Sequence, residues 1–202
     1  MPKVSRRYLL LAGGAVAAAG GLAMTKPSDQ SGPRGTYFLE MQRALLGAGI
    51  AAPTLVIDAT RLNQNIDTLI SHLPDGMGYR IVAKSLPSLA LIKHIAKRSG
   101  TNRLMTFNQP MLNELSLEMP DASQLLGKPL PVRAAQSYFD SIPVDRIDAA
   151  KNVQWLIDTP ERLAQYAALA DSVDQSLAVN IELDVGLHRG GFTPGTDLRL
   201  AL

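Results

Sequence analysis

Tyr79-Arg80-Ile81-Val82-Ala83-Lys84-Ser85 has the two-residue alternation and the β-branched content of a short strand. It follows the turn signal Pro74-Asp75-Gly76 and precedes a helical pattern that begins near Ser88. The order strand, lysine, loop, helix is that of one βα unit. In a parallel α/β array Lys84 then stands at the C-terminal end of its strand, where such folds place catalytic groups. An amine held there in partly apolar surroundings can lose its proton and attack a carbonyl, as a Schiff-base lysine must. The competing reading is a lysine that simply ends a strand in solvent.

The pattern around this unit repeats its alternation. Upstream, Tyr37 to Leu46 is a helical pattern closed by Gly47-Ala48-Gly49, and Pro53 introduces an expected strand, Thr54-Leu55-Val56-Ile57. Leu62, Ile66, Leu69, Ile70 and Leu73 then form a helical stripe, with Asp58 or Thr60 as its cap. Downstream, a helix carries Leu89, Ile92, Ile95 and Ala96. A strand follows over Arg103 to Phe107, a helix over Gln109 to Glu118, a weak strand over Ser123 to Leu126 and a helix over Val132 to Asp140. Val153 to Asp158 is a strand. Thr159-Pro160-Glu161 starts the next helix with a capping hydroxyl, a proline and an acid in the first turn, and Leu163, Tyr166, Ala167 and Ala170 are its expected buried face. The most strand-like run, Leu177 to Val185, leads into Gly186-Leu187-His188-Arg189-Gly190-Gly191-Phe192. Strands separated by helices of this length predict a parallel α/β sheet, open or closed into a barrel. No G-x-G-x-x-G follows the first strand and no G-x-x-x-x-G-K-[ST] occurs, which removes the main support for a nucleotide-binding open sheet.

Composition sets outer bounds. The chain has 202 residues, 46% hydrophobic and 19% charged, with a net charge of +2. Residues 1–25 contain Lys3, Arg6 and Arg7 and no acid, so the remainder is −1 and gives no support to a nucleic-acid surface. There is no cysteine, which excludes disulfides and thiolate metal sites in these residues. Ser5-Arg6-Arg7-Tyr8-Leu9-Leu10, followed by an Ala- and Gly-rich apolar run to Met24, resembles a bacterial twin-arginine export signal, with an uncleaved membrane anchor as the alternative. The expected organisation is a signal segment over 1–25, a linker over 26–35 and a folded part over 36–202, exported to the periplasm.

Four short motifs, in order, resemble the alanine racemase N-terminal barrel superfamily. They are Ala52-Pro53-Thr54-Leu55-Val56-Ile57-Asp58, Val82-Ala83-Lys84-Ser85, Trp155-Leu156-Ile157-Asp158-Thr159, and Glu182-Leu183-Asp184-Val185-Gly186-Leu187-His188-Arg189-Gly190-Gly191. Within the superfamily the D-threonine aldolase and D-serine dehydratase branch is the most similar. The resemblance implies a TIM barrel of the pyridoxal 5'-phosphate (PLP) type. Lys84 matches the lysine that forms the Schiff base with PLP, and Arg189 matches the arginine beside the cofactor's phenolic oxygen. It further implies a small amino acid substrate, a homodimer, and zinc only in a further C-terminal domain. The implied function is a PLP-dependent D-amino acid lyase, dehydratase or aldolase. The alternatives are an amino acid racemase and a non-catalytic PLP carrier or inactive fragment.

Two departures stand against the pattern. Lys84 is followed by Ser85-Leu86-Pro87-Ser88, so no tyrosine stands where alanine racemases have one. A closed barrel needs eight strands and typically ~250 residues, whereas five strand candidates run from the Lys84 strand to Leu202, so an incomplete barrel is expected. His188 could donate a proton but is read as a loop histidine, Asp184 is as open to catalysis as to structural pairing with a neighbouring arginine, and His72 and His94 are expected as solvated side chains on helices.

Overall fold

The computed structural model describes residues 32–85, 87–143, 147–186 and 188–194, so the expected signal segment lies outside the described residues. The chain divides into two compact units, residues 1–56 and 57–202. The first contributes helix α1, Thr36–Gly47, in which no residue is buried. The expected strand Thr54–Ile57 does not form. Leu55, Val56 and Ile57 are 90%, 39% and 48% exposed. A strand exists only through its ladder, and this segment pairs with no described strand.

The second unit alternates helix and strand: α2 Ala59–Ser71, β1 Ile81–Val82, a 3₁₀ turn Ala83–Ser85, α3 Leu89–Ser99, β2 Arg103–Thr106, α4 Gln109–Glu118 and β3 Ser123–Leu126. There follow α5 Val132–Ser141, a one-turn α6 Ala149–Asn152, β4 Val153–Ile157, α7 Pro160–Val173 and β5 Ala178–Ile181. All five strands run parallel in the order β1-β2-β3-β4-β5, each beside its sequence neighbour. These are the five strands expected from residue 79 onward.

Four helices begin at a side-chain cap, and two of these caps, Asp58 and Thr159, are expected from the sequence. Asp58 Oδ1 accepts from the Arg61 amide at 3.0 Å, Ser88 Oγ from Leu91 at 3.4 Å, Asn108 Oδ1 from Met111 at 2.9 Å and Thr159 Oγ1 from Arg162 at 3.1 Å. Each satisfies a backbone N–H that the first turn leaves without a partner. Helix α6, which periodicity did not reveal, carries the same signal, with Asp148 Oδ1 accepting from Lys151 at 3.0 Å.

Burial alternates along the strands. Leu104 and Thr106, Gln124 and Leu126, and Val153, Trp155 and Ile157 are buried, while the residues between them are partly exposed. The buried set packs with helix residues in two clusters. Ile81 and Leu104 join Ile66, Ile92, Ile95 and Leu115, and Trp155 joins Tyr138, Phe139, Tyr166 and Leu169. One face of the sheet is thus covered by helices and the other is left partly open. Sequential strand order with one-sided cover is the arrangement of a barrel arc, since doubly wound sheets carry helices on both faces. On α7 the buried residues are Tyr166 and Leu169, and Ala167, expected inside, is exposed.

Candidate active site

The C-terminal ends of the strands gather the polar chemistry. β1 ends at Val82, and the backbone tightens at once into the turn Ala83–Ser85, with Ala83 fully buried as its anchor. Lys84 is exposed on this turn, and its Nζ lies 4.2 Å from the centroid of the Phe107 ring. Phe107 follows β2. A cation over an aromatic face is attractive by roughly 0.5–1 kcal/mol at an exposed site, so the ring biases where the amine rests. Gly127, just past β3, makes room for that ring. A Cβ there would meet two Phe107 ring carbons at 2.5 Å and the Met105 sulfur at 2.9 Å.

Across the same end of the sheet, a pocket of about 250 Å³ is lined by Lys128, Asp158, Arg162, Glu182, Arg189 and backbone between them. Three cations and two acids share it. Arg162 is tied down, with Nη1 donating to the Leu130 carbonyl at 2.9 Å and Nε 3.5 Å from Asp158 Oδ1. Tyr166 donates to the same carbonyl at 3.1 Å. Burial pushes the Tyr166 hydroxyl pKa up to about 12, against the opposing pull of Arg162.

Arg189 is carried by a clipped loop. The Glu182 amide donates to Ile157 at 2.8 Å, the last bond of the sheet proper, and β4 ends there because Thr159 already caps α7. The strand expected through Val185 therefore stops at Ile181, and the chain bonds to itself. Leu183 forms an isolated parallel bridge with Phe192, through Asp184 N–H to the Phe192 carbonyl at 3.0 Å and Phe192 N–H to the Glu182 carbonyl at 2.7 Å. Gly191, at φ +109°, permits this approach, since a Cβ there would lie 2.9 Å from three backbone atoms of Glu182 to Asp184. Asp184 fastens the loop from inside. Its Oδ1 accepts from the amides of Gly186 at 3.1 Å and His188 at 3.0 Å, and its Oδ2 lies 3.0 Å from His188 Nδ1. The Gly186 amide above all, then the His188 ring and amide, hold the Asp184 carboxyl below the usual range.

Lys84 and Arg189 lie at the same, C-terminal end of the sheet: Lys84 follows β1, and Arg189 shares its pocket with residues that follow β3 and β4. The 250 Å³ pocket takes in Arg189 and not Lys84. Periodicity identified neither Phe107 nor the Asp184–His188 pair. The spacing Asp-x-x-x-His in a glycine-rich loop was the available signal for the latter, and the partner of Asp184 is this histidine rather than an arginine. His72 and His94 bond to Thr68 O and Asn63 Oδ1, each at 2.7 Å, on the helix surface. Among the described residues no group of three or more His, Cys, Asp or Glu is placed to hold a metal ion, and no helix is long and apolar enough to cross a membrane.

A sequential parallel sheet with helices on one face and its charged groups at the C-terminal strand ends defines the class, a part of an α/β barrel. A family model, "Alanine racemase, N-terminal domain", matches residues 57–202, and the chain belongs to that family. Two solved structures share the fold. The D-threonine aldolase of Filomicrobium marinum has a TM-score of 0.61 and 16% identity over 74% of this chain. The alanine racemase of Clostridium difficile 630 in complex with cycloserine has a TM-score of 0.54 and 17% identity over 73%. The chain spans 39% of the length of each. No curated protein sequence matches it significantly.

Proposed function

We propose that this chain supplies the lysine-bearing part of a PLP-dependent enzyme that acts at the α-carbon of an amino acid, with D-amino acid cleavage or elimination as its reaction. The observation that carries the proposal is Lys84, held at the end of the first strand of an alanine racemase-family sheet with its amine over the Phe107 ring. The donor set fits the cofactor's reactive side. A primary amine suits the aldehyde, and the planar guanidinium of Arg189 suits a phenolate oxygen. When bound, PLP supplies the electron sink for negative charge at the α-carbon. The protein's own part is then to hold the amine by Phe107, to fix Arg189 through the Asp184 clip, and to balance charge with Glu182 and Asp158. Twin-arginine export and a homodimer belong to the same proposal. They rest on Arg6-Arg7 with the apolar run after it, and on the resemblance.

Borohydride reduction of the PLP-treated chain, followed by peptide mapping, tests the lysine. The expected result is one reduced adduct on Lys84 that disappears in Lys84→Ala. Labelling scattered over surface lysines, or an unchanged adduct in the variant, would defeat the assignment.

A further inference from the structure

Helix α1 has no part in the reading above, and its composition is at odds with its exposure. Thr36, Glu40, Arg43 and Gly47 recur at spacings of four, three and four, which puts them on one narrow stripe. The rest of the circumference is apolar except for Gln42. A helix that is apolar over most of its surface is ordinarily buried. No residue of α1 is, and Phe38 and Leu46 are 61% and 69% exposed. A cation lies along the apolar side. Arg34, one turn before Phe38, shares a groove of about 330 Å³ with Phe38, Met41, Gln42 and Leu45, and its Nη1 donates to Gln42 Oε1 at 2.8 Å. Tyr37 and Phe38 stand beside it as an edge-to-face pair, 5.2 Å between ring centroids. An aromatic pair, apolar side chains and a guanidinium on one side of a helix suit the boundary of a bilayer, where acyl chains take the apolar groups and lipid phosphates take the cation.

The charge of the chain before α1 chooses between the surfaces that could cover it. Residues 1–35 carry Lys3, Arg6, Arg7, Lys26 and Arg34 against Asp29 alone, a net +4 in a chain whose total is +2. A second copy would bring the same positive segment to the same helix and repel it, whereas anionic lipid headgroups attract it. At 12 residues α1 is too short to cross a bilayer, which takes about 20. We propose that α1 docks on an anionic membrane surface and lies in its plane, with Arg34 on lipid phosphate and the stripe of Thr36, Glu40, Arg43 and Gly47 toward water. The inference does not depend on the PLP reading. Nor does it depend on the fate of residues 1–25, since α1 lies beyond them and stays on the chain whether or not they are removed.

The chain has no cysteine, so one introduced thiol reports one position. Met41→Cys, on the apolar side, and Glu40→Cys, on the polar stripe, are each labelled with an environment-sensitive NBD fluorophore in the 202-residue chain. Both are titrated with vesicles of mixed phosphatidylcholine and phosphatidylglycerol. We expect a blue shift and a gain in intensity at position 41 and little change at position 40. With phosphatidylcholine alone the affinity should fall about tenfold or more. Phe38→Glu should abolish the shift at position 41 and leave the emission of buried Trp155, which reports on the sheet, unchanged. Vesicle binding that leaves position 41 in water would assign the contact to residues 1–25 and overturn the proposal. A shift at position 41 that grows with protein concentration in the absence of lipid would mean that a second copy covers the helix, and overturns it too. Equal shifts at both positions, or a shift that survives Phe38→Glu, would show that the helix does not lie in the plane on its apolar side.

Discussion

At the residue scale, Tyr166 links the core to the pocket. Its ring lies 5.5 Å from that of Trp155, and its hydroxyl donates to Leu130, the carbonyl that also orients Arg162. With the folded pKa pushed up to about 12, the folded state keeps a proton that the unfolded chain releases near pH 10. The associated stability is complete below pH 10 and is lost as pH rises through 12, to at most about 3 kcal/mol. Tyr166→Phe should cost about 1 kcal/mol at neutral pH for the lost hydrogen bond. It should also flatten the decline between pH 10 and 12 in denaturant titrations. An equally steep alkaline decline in the variant would place the titration elsewhere, with buried Tyr138, also raised by burial, as the first candidate. Lys84 and Arg189 are singled out by short ordered motifs in the sequence. Phe107 was not, because its role comes from a cross-strand neighbour at position 84, twenty-three residues earlier, and no periodicity encodes that contact.

At the element scale, polar caps carry more of the specification than apolar stripes. Helix α7 shows this. Thr159 and Pro160 fix its first turn within the expected residue, whereas its stripe misplaced Ala167, because small side chains report little about which way a helix faces. Thr159→Ala should therefore destabilise the chain by about 1 kcal/mol. Thr159→Ser should restore most of it, as read by urea midpoints, and equal loss in both variants would assign the effect to packing of the threonine methyl instead. Strands were legible in identity and less so in length. Leu177 to Val185 has the composition of a long strand, yet only four residues pair, because β4 ends at Ile157 and leaves no ladder beyond it. Thr54 to Ile57 has strand composition and no described partner at all. Strand length is a property of the neighbour as much as of the sequence.

At the scale of the whole molecule, the sheet has two margins among the described residues, β1 and β5, and β5 is the less covered. Val179 and Leu183 are 41% and 42% exposed, and Val185 is 82% exposed. Unpaired strand edges with exposed apolar side chains template self-association. Val179→Lys should lower light scattering of the concentrated chain with little change in the unfolding midpoint. Undiminished scattering would locate the sticky surface elsewhere, with Leu55 at 90% exposure as the next candidate. The fold class was legible in the order of elements, since sequential βα units admit few topologies. One-sided cover was not, because both faces of a parallel strand can read as apolar. That every strand lies beside its predecessor in sequence has a consequence for biosynthesis. Each new unit needs only the edge that has already emerged from the ribosome, so the sheet can grow in the order of translation. Contacts stay short in sequence and closure costs stay low. Such a chain can assemble strand by strand while its later residues are still being made.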